Sequence, residues 1–307
     1  MMTAIISHPA CRLHETGQSH PECPQRIDVI NDRLLAIGVL DLLRYYDAPA
    51  VSREQLLRVH GPGYLDWLES MVPEYGLVDI DPDTRMGPES LRAAHHAAGA
   101  TVLGTDLVLT GRARNVFCNV RPPGHHASND RAMGFCFFNN VAVGVAHALE
   151  EHGLERVAVF DFDVHHGNGT DIIFADDPRV IVCSVFQKDL YPFGTGLSHS
   201  GAGIDLALPI GSGGNDMREG VQEILLPALH DFEPEMLFVS SGFDAHMNDD
   251  VSDLRYSDSD YDWLTGQALS IAGKYASGRL VSALEGGYEL GSLGRCAAAH
   301  VKALAGL

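Results

Sequence analysis

The stretch Val157-Ala158-Val159-Phe160-Asp161-Phe162-Asp163-Val164-His165-His166-Gly167-Asn168-Gly169-Thr170 decides how this chain folds and where its chemistry sits. It opens as an apolar, β-branched run of the kind that forms a strand buried on both faces of a parallel sheet. Asp161, Asp163, His165 and His166 then arrive within six positions and lead into a glycine-rich turn. Alternate residues of a strand face the same way, so Asp161, Asp163 and His165 share one side. Two carboxylates buried side by side are strongly disfavoured unless a cation or hydrogen-bond donors neutralise them. The pattern predicts a metal held at the C-terminal end of a strand.

Outward from this strand, elements alternate in both directions. Towards the N-terminus the pattern predicts a strand over 3–7 and a helix that Pro24 starts and Gly38 closes. A capping box at Ser52 to Gln55 opens another helix, and 74–88 reads as loop. A long alanine-rich helix follows Pro88, then a strand over 116–120 and a helix over 139–151. Towards the C-terminus come a short helix over 169–175 and strands over 180–186 and, more weakly, 205–208. Helices over 217–230, 258–275 and 292–305 then alternate with strands over 235–240 and 279–284. This order predicts an α/β fold in which a mostly parallel sheet lies between two helical layers. With no repeat, low-complexity tract or linker, residues 1–307 read as a single domain.

The formal charge of −20, from 21 basic and 41 acidic residues, argues against nucleic acid as a partner. Six scattered cysteines without a CxxC pair suit reduced thiols rather than a disulfide framework. No apolar run reaches the roughly 20 residues of a membrane span, and the first residues lack the basic and hydrophobic regions of a signal peptide. A cytoplasmic enzyme that binds no membrane is expected.

Ligands of open parallel sheets bind beyond the carboxyl ends of the strands. Four predicted strand ends carry polar clusters: His125-His126, Asp161 to His166, Asp244 with His246, and Gly287-Tyr288. Asp163, His165 and Asp244 make a two-carboxylate, one-imidazole set that leaves positions open for water and substrate, as catalytic metals require. Such ligands fit Zn²⁺, with Fe²⁺ and Mn²⁺ as alternatives. The tandem His125-His126 is the natural acid/base pair, with Asp161 and Asn168 available to fix the tautomers. Tyr288, after a Gly-Gly turn, is placed to donate to an oxyanion. Phe135 and Tyr191 either line a tunnel or fill core, and local sequence favours core. Asp249 and Asp250 read as solvated loop charges or as a rim that draws a cationic amine.

These residues sit in motifs that resemble the histone deacetylase superfamily, which shares the arginase-type α/β fold. The motifs are His20-Pro21-Glu22-x-Pro24-x-Arg26, Arg121-Pro122-Pro123-Gly124-His125-His126-Ala127, Gly134-Phe135-Cys136-Phe137-Phe138-Asn139-Asn140 and the stretch quoted above from Asp161. Tyr191-Pro192-Phe193-Gly194-Thr195-Gly196, Ser241-Gly242-Phe243-Asp244-Ala245-His246 and Glu285-Gly286-Gly287-Tyr288 complete the series, in the superfamily's order. The resemblance is nearest to the bacterial class II-like branch, alongside acetylpolyamine amidohydrolases and acetoin-utilisation proteins.

The resemblance implies Zn²⁺ on Asp163, His165 and Asp244. It makes His126 the general base and then acid, His125 its electrostatic partner, Asp161 the residue that orients His125, and Tyr288 the oxyanion donor. A structural K⁺ is implied at Asp161 and the backbone carbonyls of Asp163, His165, Ser184 and Val185. Phe135 and Tyr191, with Gly134, would wall a tunnel for an acyl-lysine stem, and Val251 sits near a gating position. Two departures stand out: Asn168 where many members carry Asp, and Phe186 where a histidine is common. The expected activity is zinc-dependent removal of acyl groups from lysine side chains of a peptide or protein. Acetylated polyamines or other small amines are the alternative substrates. An arginase-like ureohydrolase with two Mn²⁺ and a non-enzymatic binding module are more distant readings. The oligomeric state stays open.

Overall fold

The computed structural model describes residues 2–193 and 203–307, so Gly194-Thr195-Gly196 of the tunnel motif lie outside the described residues. In chain order the first elements are β1 (Ala4–Ser7), α1 (Gln25–Ala36), β2 (Arg44–Asp47), α2 (Arg53–Leu56) and α3 (Pro62–Met71). Next come β3 (Val78–Asp79), β4 (Arg85–Met86), α4 (Ser90–Leu109), β5 (Asn115–Cys118) and α5 (Asn140–Glu150). β6 (Val157–Asp161), α6 (Asn168–Phe174), β7 (Val180–Gln187), β8 (Gly203–Leu208) and α7 (Gly214–Gly220) follow. The chain closes with α8 (Leu226–Phe232), β9 (Met236–Ser241), α9 (Asp258–Tyr275), β10 (Leu280–Leu284) and α10 (Leu290–Leu304).

Eight strands form one sheet in the order β2-β1-β5-β10-β9-β6-β7-β8, and every pairing in it is parallel. Burial on both faces explains the apolar run at β6. Val157 and Val159 join the cluster that includes residues of α4 and α5, while Ala158 and Phe160 join the one that includes residues of α1, α9 and α10. The α/β fold with a helical layer on each face is therefore as expected. Its order brings β5, β10, β9 and β6 side by side, so four strand ends far apart in sequence become neighbours.

Four local expectations change. The 74–88 stretch contains the small antiparallel β3–β4 pair. The helix expected over 217–230 is α7 and α8 joined through a π turn at Val221–Leu225. Pro227 has no N–H to offer the carbonyl four residues back, and widening the helix there accommodates the missing bond. β2 was not expected, because Arg44-Tyr45-Tyr46-Asp47 is too short and too exposed to show alternation. The Ser52–Gln55 capping box is present, but it opens the single-turn α2, and Pro62 begins the unforeseen α3.

Gly99, inside α4, touches the backbone that follows β2. A Cβ there would lie 1.9 Å from the Pro49 carbonyl oxygen and 2.9 Å from Val51 N. Gly→Ala inside a helix normally stabilises by ~1 kcal/mol. Here the clash with backbone outweighs propensity, so Gly99→Ala should lower the unfolding free energy by about 1–3 kcal/mol in denaturant melts. An unchanged or raised midpoint would remove the close approach.

Candidate active site

Asp161 is the last residue of β6 and pairs with Ser240 of β9 on one side and Ser184 of β7 on the other. Asp163 and His165 follow where the chain leaves the sheet, and Asp244 stands in the loop after β9. One donor atom from each of Asp163, His165 and Asp244 lies within 4.8 Å of the other two. His165 Nδ1 is 2.9 Å from Asp163 Oδ1 and 3.3 Å from Asp244 Oδ2. Backbone donors hold the far oxygens: Gly286 N donates to Asp163 Oδ2 at 2.7 Å, and Val164 N to Asp244 Oδ1 at 3.0 Å. Asp244 Oδ2 is buried and, beyond the 3.3 Å approach of His165 Nδ1, has no hydrogen-bond partner among the described residues.

The electrostatics ask for positive charge at this point. Burial disfavours the charged form of His165, but its bonds to Asp163 and Asp244 outweigh that and push its pKa up to about 10. Burial and the neighbouring Asp163 push Asp244 up to about 6, with His165 opposing them. Gly286 lets the third strand end approach: a Cβ on it would lie 1.9 Å from Asp244 Oδ2 and 2.6 Å from Asp163 Oδ2. A donor set of one imidazole and two fully buried carboxylates, one of them with an unsatisfied oxygen, fits a divalent ion. His246, grouped with Asp244 on sequence, does not join the set. Its Nε2 is 3.0 Å from Asp258 Oδ1, and its Nδ1 accepts from Asn248 N at 3.1 Å.

The two tandem histidines occupy different environments. His125 Nδ1 bonds Asp161 Oδ2 at 3.0 Å, and its Nε2 is 3.8 Å from Asp163 Oδ1. Burial works against its charge, yet Asp163, Asp161 and Glu285 together raise its pKa to about 10. His126 Nδ1 donates to Asn168 Oδ1 at 2.7 Å, which leaves Nε2 as the proton acceptor. Burial, then the charges of His125 and His165, hold His126 well below 6.5, so it is a neutral base. The two rings lie 4.0 Å apart. Gly134 (φ +57) seats His126, since a Cβ there would lie 2.3 Å from the ring.

The Tyr288 turn is held from several sides. Arg26, fully buried, donates from Nε to Gly287 O at 2.7 Å and from Nη2 to Glu285 O, with its guanidinium 4.9 Å over the Tyr288 ring. Glu22 pairs with both Arg26 and Arg121. Glu285 Oε2 accepts the N–H groups of Gly124 and His125 at 2.7 and 3.1 Å, which fixes the histidine loop. Burial raises the Tyr288 pKa well above 10 against the pull of Arg26, so its phenol is a neutral donor. Sequence reasoning gave Arg26, Glu22 and Glu285 no role, although all three stand in the quoted motifs. An arginine and a glutamate beside glycines and prolines were the available signal for a buried ion pair.

Phe135 lies edge-on to Tyr288 at 5.9 Å and to His20 at 4.8 Å. Tyr191 lies edge-on to His126 at 5.2 Å and to His165 at 6.3 Å. Both rings are half-buried beside the site, not in the core that local sequence favoured. Val251 is half-buried against the apolar cluster on one face of the sheet. Ser184 and Val185 are buried in β7, and the Ser184 hydroxyl has no partner among the described residues. Phe186 packs edge-on against His166 at 4.7 Å. Asp249 is neither a solvated charge nor a free rim charge: it is buried and bonded to backbone, whereas Asp250 is exposed.

An α/β fold that gathers a metal-type donor set, a neutral imidazole and a phenol at neighbouring strand ends has the parts that metal-assisted hydrolysis requires. The chain belongs to the histone deacetylase family, whose domain matches residues 20–304. It is 36% identical over 295 residues to the histone deacetylase-like amidohydrolase of Pseudomonas aeruginosa, covering 94% of this chain and 77% of that one. It is 34% identical to a probable deacetylase of Archaeoglobus fulgidus, over 94% of this chain and 82% of the relative. The solved HDA15 HD domain superposes with a TM-score of 0.91 at 33% identity, covering 99% of this chain and 88% of that one. The chain is thus an enzyme that hydrolyses amides. No helix among the described residues is long and apolar enough to cross a membrane.

His126 must be unprotonated to act as base, so activity should rise as pH passes its pKa. Asn168→Asp would place a negative acceptor on Nδ1 and favour the imidazolium. The acid limb of the kcat/KM profile should then move up by about one pH unit or more. A limb that stays put or moves down would show that position 168 does not set the basicity of His126.

Proposed function

We propose that this chain is a single-domain, zinc-dependent deacetylase that removes acetyl or acyl groups from acyl-lysine side chains and releases acetate. The observation that carries the reading is the buried, unsatisfied Asp244 oxygen beside Asp163 and His165, close to the neutral His126. A zinc ion on Asp163, His165 and Asp244 would polarise the amide carbonyl and make a bound water acidic. His126 Nε2 takes the proton of the attacking water, and its Nδ1 bond to Asn168 keeps that nitrogen free for the task. The Tyr288 hydroxyl donates to the oxygen that becomes negative, a contact worth roughly 3 kcal/mol in comparable oxyanion holes. The proton on His126 then passes to the leaving nitrogen. The cationic His125, held by Asp161, keeps His126 from staying protonated in the resting state. Phe135 and Tyr191, with Gly134 between Phe135 and His126, form the walls along an acyl-lysine stem, and Val251 serves as an apolar gate. A K⁺ at Asp161 and the backbone carbonyls of Asp163, His165, Ser184 and Val185 would sit beside the Ser184 hydroxyl, which has no partner among the described residues. Six cysteines that are all free thiols suit a reducing compartment such as the cytoplasm.

An acetylated small amine is the second reading. The mouse polyamine deacetylase is 34% identical over 100% of this chain, which spans 48% of that protein, and a net charge of −20 attracts cationic amines. Rates on acetyl-lysine peptides, acetylputrescine and acetylspermidine, measured side by side, decide between the two. Acyl-lysine peptides should be the faster class, and a preference for acetylpolyamines would replace the first reading with the second. Asp163→Asn and Asp244→Asn should each lose bound zinc by elemental analysis, and zinc retained at one per chain in either would exclude that ligand. Tyr288→Phe should keep its zinc and lower kcat about 10²-fold. Hydrolysis at the unaltered rate would remove Tyr288 from the mechanism.

A further inference from the structure

The loop after β9 carries a second buried aspartate five residues beyond Asp244. Asp249 is 5% exposed, and both of its oxygens accept backbone N–H groups. Oδ2 takes Tyr288 N at 2.6 Å and Glu289 N at 2.9 Å, and Oδ1 takes Val251 N at 3.3 Å. Bonds from N–H groups to an ionised carboxylate are about twice as strong as neutral ones. Elsewhere in the turn, Gly286 N lies on Asp163, and Gly286 and Gly287 offer their carbonyls to Phe243 N and Arg26. Asp249 is the anchor on the backbone of Tyr288 itself, just after Gly287 at φ +114. Its own loop is tied down as well, by Asp249 N to His246 O and by Ser252 Oγ to Asp244 O.

We propose that Asp249 is a positioning residue that locks the Tyr288 backbone to the loop bearing Asp244, so that hydroxyl and metal face the same carbonyl. The inference rests on the reading of Tyr288 as oxyanion donor. A side chain that only attracted cationic substrate would need a free carboxylate, and Asp249 has none. Its effect therefore passes through Tyr288 and appears in kcat rather than KM.

The test is a double-mutant cycle on the full chain, read by single-turnover hydrolysis of an acetyl-lysine peptide so that slow variants stay measurable. Asp249→Ala should lower the rate at saturation about tenfold or more, with KM within about threefold and zinc content unchanged. In a Tyr288→Phe background the same change should cost less than about threefold, because the hydroxyl it positions is gone. Asp249→Asn keeps one oxygen for the Tyr288 N–H and should fall between Ala and the unaltered chain, again with its loss abolished by Tyr288→Phe. If Asp249→Ala does not fold, the Asn cycle decides alone. Losses that multiply in the double variant, a change confined to KM, or no loss at all would overturn the role of Asp249. Inactivity of the unaltered chain on every amide would instead overturn the deacetylase reading beneath it.

Discussion

Everything in this molecule answers to the crowding of carboxylates beneath one point of the sheet. Asp161, Asp163, Asp244 and Glu285 are all fully buried, and they converge from three strand ends. Burial alone would drive such groups to take up protons. The structure answers with charge and with backbone N–H. Asp161 faces a cationic His125, Asp163 and Asp244 share His165, and Glu285 takes two N–H groups of the histidine loop. Burial still leaves Glu285 up at about 7 against the charge on His125, and Asp244 up at about 6. The Asp244 oxygen that only His165 approaches among the described residues is where a divalent ion fits.

The same pressure separates the two adjacent imidazoles. One ring, bonded to a carboxylate, becomes cationic, and the other stays neutral because burial and then the charge on His125 outweigh its hydrogen bond to Asn168. The dependence runs one way: the charge on His125 adds to burial in holding His126 neutral. A second tier of buried ions carries the geometry outward. Glu22 holds Arg26 and Arg121, Arg26 holds the carbonyls of the Tyr288 turn, and Asp249 holds its N–H groups. The candidate site and the carboxyl ends of the central strands thus share the same hydrogen bonds.

Much of the site was legible in advance because strand ends announce themselves. Apolar runs that stop at Asp161, Ser241 and Leu284 and continue into glycine and acid cannot be ordinary loops, and their chemistry pointed to metal, base and phenol. Less legible were residues whose meaning lies in a distant partner. Asp249 looks like a loop charge until Tyr288 N is seen 2.6 Å away, and His246, which shares a strand end with Asp244, turns to Asp258 instead. Phe135 and Tyr191 carry no local mark that separates a tunnel wall from a core ring.

The sequence by itself determined the class of fold, the strand that anchors the site and the residues able to hold a metal. Periodicity and side-chain chemistry are local properties, and a doubly buried strand ending in acids has few alternatives. Only the tertiary structure decided the strand order that sets β5, β10, β9 and β6 side by side, and the direction each polar side chain faces. Those depend on crossovers and on hydrogen bonds between residues 39 to more than 250 positions apart, such as Asp249 with Tyr288 and Arg26 with Gly287. No pattern along the chain encodes such pairings, because the backbone groups that receive them are the same at every residue.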